Sequence, residues 1–152
     1  MTDSNAGAGH IPTVTPVTHL DDEGCWEVLR RLEFGRIAYR LGTHLDIAPI
    51  NYAVHQDQIV FRTATGSKLS GILGDGEVVF EVDEVTDRHA VSVVVRALAH
   101  EMDRDKARWV DQMRLRPWVP TVKEYVVVLE PQRITGRWFD ISRPWTSMRP
   151  QP

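Results

Sequence analysis

The sequence lacks the features that mark several classes of protein. Its 152 residues include one cysteine, Cys25, which excludes an intrachain disulfide and fits a reducing cytoplasm. The formal net charge of -3 provides no basic surface for bulk nucleic-acid binding. No apolar run approaches the length of a membrane span, and the opening MTDSNAGAGH lacks the basic and apolar regions of a signal peptide. We therefore expect a cytoplasmic protein with neither a nucleic-acid nor a membrane partner.

Familiar catalytic motifs are also missing. The six histidines are scattered without metal-ligand spacing, so the sequence predicts no metal site. Cys25 falls in a predicted helix and is better explained as a small packed residue than as a nucleophile. No Ser-His-Asp set is evident, and the catalytic residues remain unassigned.

The composition that is present, 42% apolar and 26% charged residues, is typical of a soluble globular protein. The length predicts one domain with a core of ordinary size. Residues 1–19 are rich in Gly, Ser, Thr and Pro and predict a flexible arm, whereas residues 140–152 include three prolines and predict an irregular tail. The domain is therefore expected over residues 20–139.

Between these ends the hydrophobic pattern predicts mainly strands. A first helix is expected from Asp21 or Asp22 to about Phe34, with Gly35 at its C-terminal end. Strands are predicted at 36–40, 45–53, 58–63, 77–85, 90–102 and 123–139, and short helices at 67–73 and 105–114. Antiparallel strands that bury one face and hide their edges favour a closed or nearly closed barrel.

Two prolines and several valines add detail to this prediction. The first three strands read as an antiparallel meander, in which Pro49 should lie at an edge or bulge because it cannot donate to a ladder. Pro131 is expected to break the last strand. Val91, Val93, Val94, Val95 and 126–128 offer more apolar surface than one small barrel needs, which favours a homodimer.

One strand-to-helix turn has an unusual set of polar side chains. In FRTATGSKLSGIL (61–73), two cations bracket three hydroxyls and a glycine: Arg62, Thr63, Thr65, Gly66, Ser67 and Lys68. Lys68 is expected in the first turn of a helix, where free N–H groups and the positive dipole end favour an anion. An arginine adds a bidentate fork. The turn therefore predicts an anion site, with a phosphate as the leading candidate, although the spacing is not that of a P-loop.

The alternative for this turn is structural. Ser67 would then be a plain N-cap, Gly66 a turn residue, and Arg62 and Lys68 solvated surface cations.

Six segments of the sequence carry a family resemblance, in this order: FGRIAY, IAPINY, IVFRTATGSKL, VVFEVDE, SVVVRALAHEM and RITGRWF. With them, the sequence resembles the pyridoxamine 5'-phosphate oxidase-like flavoproteins, the split-barrel FMN-binding family. The resemblance extends over about residues 20–139. Within the family, the sequence most resembles a small actinobacterial branch that is also similar to nitroimidazole-resistance proteins. It implies a mainly β (α+β) fold, a six-stranded antiparallel Greek-key split β-barrel with about three short helices. It also implies a homodimer with two flavin sites at the interface, each with residues from both subunits.

The resemblance further implies which residues bind the cofactor. The FMN phosphate and ribityl chain would contact Arg62, Thr63, Thr65, Ser67 and Lys68. Backbone groups of Pro49, Ile50 and Asn51 would lie along the isoalloxazine ring, and the Asn51 side chain would reach a polar ring edge unless it is a structural turn residue. The partner's site would be completed by Arg96, Arg137 and Trp138.

Two of these residues have open alternatives. Arg96, a cation within a strand of valines, either emerges at the dimer interface or pairs with a carboxylate such as Glu81. Trp138 is explained equally well by ordinary packing.

The resulting functional prediction is an FMN-dependent oxidoreductase that acts on a small redox-active organic molecule, with a small-molecule electron donor. The flavin supplies the chemistry, so no classical acid or base is needed. The segment RITGRWFDISRPW has no match for the authentic oxidase's substrate-binding basic residues, so pyridoxamine-phosphate oxidation is not expected. Two alternatives stay open: an F420-dependent reductase of the same fold, and a non-catalytic flavin-binding or sequestering protein.

Overall fold

The computed structural model describes residues 17–103, 105–112, 115 and 124–141. Within them, the strands are β1 (Val17–Leu20), β2 (Phe34–Leu41), β3 (His44–His55), β4 (Gln58–Thr63), β5 (Glu77–Val85), β6 (His89–Glu101) and β7 (Tyr125–Asp140), and the helices are α1 (Asp22–Arg31), α2 (Ser67–Asp75) and a 3-10 helix (Ala107–Gln112). The strand beyond the six predicted is β1, which comes from the end of the predicted arm. The remainder of that arm and nearly all of the predicted tail lie outside the described residues.

The strands form one antiparallel sheet that closes into a ring. Its order is β1-β7-β4-β3-β2-β5-β6, and β6 pairs again with β7. The long β7 makes this closure possible, because its first half pairs with β4 and β6 and its second half with β1 and β6. The predicted mainly β fold is confirmed, the ring is consistent with a split barrel, and β2, β3 and β4 form the predicted meander.

Alternating side chains fill the ring. The largest buried residues of the core include Leu29, Ile37, Tyr52, Ile59, Phe61, Ile72, Phe80 and Leu129. Tyr52 packs edge-on against Phe80, with ring centroids 4.8 Å apart, and its hydroxyl donates a hydrogen bond to the carbonyl of Leu29 at 2.8 Å. Burial is the main reason that the pKa of Tyr52 is raised. This buried hydrogen bond fastens α1 to the barrel.

The predicted end of the first helix was wrong. Helix α1 ends at Arg31, and the chain enters β2 at Phe34 because that segment pairs with β3. Gly35 lies inside β2 rather than at a helix terminus. A Cβ atom at that position would come within 2.5 Å of the Phe80 ring, so close packing is the reason for a glycine there.

The last strand also differs from its prediction. Pro131 does not break β7. Instead, the register with β6 shifts at this point: Arg96 pairs with Arg133 and Ala97 with Pro131, which leaves Gln132 as the extra residue of a bulge. Pro49 fits its prediction of an edge position better. The pairing of β3 with β4 begins only at Tyr52, so Pro49 lies beyond the part of β3 that pairs with β4.

Most of the valines that were predicted to be surplus apolar surface are buried within the subunit. Val91, Val93, Val95 and Val127 face the core, where each is at least 96% buried. Val126 and Val128 face outward, but they pack in a second apolar cluster under the 3-10 helix. The predicted helix over 105–114 is this 3-10 segment, which starts at Ala107. These six valines therefore provide no surplus apolar surface for a dimer, whereas Val94 is half-buried on the outer face.

Candidate functional site

The turn between β4 and α2 leaves a helix N-terminus without a side-chain cap. Gly66 is the N-cap residue, so the alternative in which Ser67 caps the helix is wrong. The φ of Gly66 is 150°, a value that favours glycine, and a Cβ atom there would meet nothing within 4 Å. The first turn of α2 contains no acidic residue and includes Lys68. An anion is the group that such a terminus favours electrostatically.

Neighbouring strands bring two further predicted site residues together. Tyr52 on β3 pairs with Phe61 on β4, and both face the core. Asn51 and Arg62 are the next residues on the two strands, so they lie side by side on the outer face, where both are half-buried. The Asn51 amide and the Arg62 guanidinium thus lie close to where β4 leads into residues 64–66, the turn before α2 that is called here the open turn.

Other predicted residues differ in their accessibility. Thr65 and Ser67 are exposed in and just after the turn, whereas Pro49 is exposed on β3. Ile50 is 5% exposed and Thr63 only 2%, and the Thr63 hydroxyl donates to the carbonyl of Ala64 at 3.3 Å. The side chains of these two residues are therefore not available to a ligand on the outer face.

Helix α2 is packed firmly enough to position this turn. Leu69 and Ile72 are buried in the core, and Gly71 lies so close to Tyr39 that a Cβ atom would come within 2.6 Å of its ring. The Tyr39 hydroxyl in turn donates to Asp46 at 3.2 Å, and burial, with Asp46 as a second cause, raises the pKa of Tyr39. A backbone anion site needs this kind of rigid support.

A second group of cations lies on the outer face of β1, β6 and β7. It lines a cleft of about 510 Å³, called here the arginine cleft, whose residues are His19, Ser92, Val94, Arg96, Arg133, Thr135, Arg137 and Phe139. Arg96 and Arg137 are among the residues predicted from the sequence, whereas Arg133 and His19 are not. The alternation in RITGR was the available signal, because it places Arg133, Thr135 and Arg137 on one face of a strand.

Glu81 does not pair with Arg96, as one alternative expected. Arg36 takes that place: its guanidinium donates to Asp83 at 2.7 Å and to Glu81 at 3.3 Å. Burial, followed by the charge of Asp83, raises the pKa of Glu81 in spite of Arg36. Arg96 instead lies opposite Val79 on one side and Arg133 on the other.

Trp138 points away from the arginine cleft. It packs against the core, and its ring stacks on His89 with centroids 5.9 Å apart. The packing alternative thus has a structural basis, while a flavin contact by Trp138 stays a prediction.

The two cationic groups are far apart within one subunit. Arg62 pairs with Val126 at the start of β7, and Arg133 lies seven residues further along that strand. At about 3.3 Å per residue, this is a separation of about 23 Å along the strand. One phosphate group therefore cannot contact Arg62 and Arg133 of the same subunit.

Other candidate chemistry is limited. Cys25 is 1% exposed, and burial, with Asp22 and Asp21 as further causes, raises its thiol pKa, so it is a packed residue rather than an activated nucleophile. In the described part of the chain, no three His, Cys, Asp or Glu side chains gather in a way that would hold a metal ion. Neither described α-helix has the length and apolar character needed to span a membrane.

The geometry and the sequence together identify the class of protein. The model of the pyridoxamine 5'-phosphate oxidase family matches residues 21–138, which include α1, the open turn, and strands β2 to β7 except for the last two residues of β7. The chain belongs to this family.

Individual relatives agree with this assignment. A crystal structure of a candidate pyridoxamine 5'-phosphate oxidase from Corynebacterium glutamicum is 36% identical, covers 86% of this chain and 98% of its own, and has a TM-score of 0.75. A FAD-binding protein from Mycobacterium smegmatis is 32% identical, with 82% and 99% covered and a TM-score of 0.71. An uncharacterised protein of Mycobacterium tuberculosis is 30% identical over 79% of this chain and 84% of its own length. Flavin binding thus occurs among the relatives.

Proposed function

We propose that the protein binds FMN at a homodimer interface and uses it as an oxidoreductase on a small redox-active organic molecule. One observation carries the proposal: the α2 N-terminus has no side-chain cap, and a lysine lies in its first turn. The ligand bound at such a helix N-terminus should be an anion. The Mycobacterium smegmatis relative is a FAD-binding protein, which supports a flavin. The short phosphate segment suits a mononucleotide better than the long polyglutamate tail of F420.

The residues around this turn would divide the work of binding. Amide groups of α2, Ser67 and Lys68 would hold the phosphate, and Arg62 would approach it from β4. The backbone from Pro49 to Asn51 would lie along the ring. When bound, the flavin supplies hydride transfer. The chain itself would orient the ring and exclude water from one face.

The dimer proposal rests on a row of apolar side chains outside the ring. Ala38 on β2 pairs with Ile47 on β3 and with Val79 on β5, which places all three on one outer face. Ile47 is 61% exposed and Val79 37%, and nearby Leu98 is 45% exposed. A second copy of the chain would remove this surface from water. Completion of the partner's flavin site by Arg96, Arg137 and Trp138 remains a prediction from the family resemblance.

Three measurements test the proposal. The purified protein should be yellow, and extraction followed by mass determination should give FMN; recovery of F420 would favour the deazaflavin-dependent reductase instead. The bound flavin should then be reduced by NAD(P)H or another donor and reoxidised by an added acceptor. Turnover no faster than that of free FMN would support a non-catalytic flavin-binding protein. Light scattering should find a dimer at micromolar concentration, and a monomer that still binds flavin would contradict the interface site.

A further inference from the structure

A row of cross-strand partners connects two parts of the proposed flavin sites. Pro49 on β3 pairs with Arg36 on β2. Arg36 pairs in turn with Glu81 on β5, and Glu81 pairs with Val94 on β6. Cross-strand partners point to the same face of a sheet, and here that is the outer face. Pro49 is proposed to lie along the flavin ring, whereas Val94 lines the arginine cleft, which contains residues predicted to complete the partner's site. Glu81 therefore lies between the two.

Glu81 is close to both of these parts. Neighbouring strands are about 4.8 Å apart, so the Glu81 backbone lies about 5 Å from that of Val94 and about 10 Å from that of Pro49. Ala38 and Val79, which belong to the proposed dimer face, form the adjacent row. Glu81 consequently lies at the edge of the interface where the flavin is proposed to bind, and its side chain points out of the sheet on that side.

The charges around Glu81 favour a carboxyl that keeps its proton. The Arg36 guanidinium donates to Asp83 at 2.7 Å and to Glu81 at 3.3 Å, so two carboxyl groups share one counter-charge. Glu81 has the longer contact and the less exposed side chain, 30% against 41% for Asp83. Burial, followed by the charge of Asp83, accordingly raises the pKa of Glu81. Arg96, two residues beyond Val94, is the charged residue that faces Glu81 from β6, and it makes no ion pair with Glu81.

We infer that Glu81 is the general acid of the flavin-dependent reaction and donates a proton to a substrate with a polar double bond. This inference rests on the proposed function and adds to it a catalytic residue and a substrate class. One atom of the double bond accepts a hydride from the flavin, and the electron pair of that bond moves to the other atom. The second atom takes the proton of the Glu81 carboxyl, and the carboxylate regains a proton from water. A hydride donor such as NAD(P)H reduces the flavin again.

The alternative role for Glu81 is to hold Arg36 in place on the sheet. An exposed ion pair of this kind contributes about 0–1 kcal/mol to stability. Its loss should leave the rate and the pH dependence of substrate reduction unchanged. A general acid, in contrast, contributes typically about 10²–10⁴-fold to the rate, and it acts only while it is protonated. The two roles therefore predict different kinetics for the same substitution.

The experiment is reoxidation of the photochemically reduced, flavin-loaded protein by two acceptors, followed by stopped-flow absorbance over a range of pH. Cyclohexenone has a polar double bond and needs a proton, whereas ferricyanide takes electrons alone. Glu81→Gln should slow reoxidation by cyclohexenone about a hundredfold or more and remove the decline of the wild-type rate at high pH. It should leave reoxidation by ferricyanide and the affinity for FMN unchanged. Glu77→Gln, at an exposed glutamate of the same strand, is the matched control and should react as the wild type does.

A second measurement needs no flavin. Carbon-13 NMR of the glutamate carboxyl groups in the unliganded protein should show a Glu81 pKa above the usual glutamate value, with the signal assigned by its absence in Glu81→Gln. Asp83→Asn should lower this pKa, because it removes a neighbouring negative charge and leaves Arg36 to Glu81 alone. The pH at which reoxidation by cyclohexenone declines should move in the same direction.

The outcomes separate this inference from the proposed function. Equal cyclohexenone rates and pH profiles in wild type and Glu81→Gln would overturn the inference, and so would a Glu81 pKa that Asp83→Asn leaves unchanged. A wild type that reacts with ferricyanide but not with cyclohexenone would show that the substrate class is wrong. A protein without bound flavin, or one whose flavin reacts with neither acceptor, would contradict the proposed function and this inference with it.

Discussion

The two α-helices begin in opposite ways. At α1, the Asp21 carboxylate accepts a hydrogen bond from the Gly24 amide at 2.8 Å, Asp22 and Glu23 follow in the first turn, and Arg30 and Arg31 occupy the last turn. At α2, Gly66 offers no side chain, the first turn has no carboxylate, and the last turn has no basic residue. Helix α1 thus compensates its own dipole and terminal amides, whereas α2 lacks both forms of compensation.

Under the proposed function, this difference separates a stabilising element, α1, from a binding element, α2. A helix N-terminus without a side-chain cap lowers the free energy of unfolding, typically by about 1 kcal/mol. The family to which the chain belongs includes flavin-binding relatives, and a flavin mononucleotide has the anionic group that α2 lacks. The following experiments exchange or remove the features in which the two helices differ.

The largest effect should come from giving α2 the charge that α1 has. Lys68→Glu places a carboxylate in the first turn, which should repel a phosphate and lower FMN affinity by about a hundredfold or more. The same carboxylate interacts favourably with the helix dipole, by about 0.3–1 kcal/mol. FMN affinity, measured by flavin fluorescence titration, should therefore fall. The free energy of unfolding of the unliganded protein, measured with urea, should rise. A parallel loss of both would mean that the variant acts through folding.

Removal of the charge alone should have a smaller effect. Lys68→Ala should weaken FMN binding by about tenfold to a hundredfold, because the amides and Arg62 would remain. The difference from wild type should narrow at higher salt, as screening weakens the contact. Lys106→Ala, at an exposed lysine near the 3-10 helix, is the control and should bind FMN normally. FMN titrations that are identical for wild type and Lys68→Ala would make Lys68 a surface residue without a role in binding.

Loss of the α1 cap should affect stability rather than binding. Asp21→Ala removes the acceptor of the Gly24 amide and should lower the free energy of unfolding by about 1 kcal/mol. FMN affinity should stay at the wild-type value, because this cap faces no part of the open turn. Urea unfolding and flavin titration on the same samples provide the check. An FMN affinity that falls together with stability would remove the distinction between the two helices.

The smallest expected effect concerns the other end of α1. Arg31 in its last turn contacts Glu84 on β5, and this contact lowers the pKa of that carboxyl. A lowered folded-state pKa adds stability above the usual glutamate pKa, and that stability disappears as the pH falls through the lowered value. Wild type should therefore exceed Glu84→Gln slightly in stability at neutral pH, with no difference at strongly acidic pH. A difference that persists in strong acid would have another cause.

Period-two hydrophobic patterns predicted much of the fold. Strands β4 and β5 have the predicted bounds, and the meander followed from short turns between apolar runs. Gly35 was misread because the need for close packing against Phe80 depends on a strand distant in sequence. The surplus of valines was misjudged for the same reason, since the packing of the 3-10 segment over Val126 and Val128 depends on contacts between segments distant in sequence.

The site was predicted in part. The open turn was recognisable because its glycine, hydroxyls and cations are consecutive in the sequence. The arginine cleft was not, because Arg96 and Arg133 become neighbours only through the β6–β7 register and its bulge. His19 was hidden in a segment read as a flexible arm, and only its pairing with Arg137 brings it to the cleft.

The most direct test of the account compares FMN with riboflavin, which differ only in the phosphate. The wild type should bind FMN at least about tenfold to a hundredfold more tightly, as expected for one charged hydrogen bond or more to the phosphate. The ratio of the two affinities should fall towards one in Lys68→Glu, because riboflavin has no charge for that residue to repel. Equal affinity of the wild type for FMN and riboflavin would contradict a phosphate site at the N-terminus of α2.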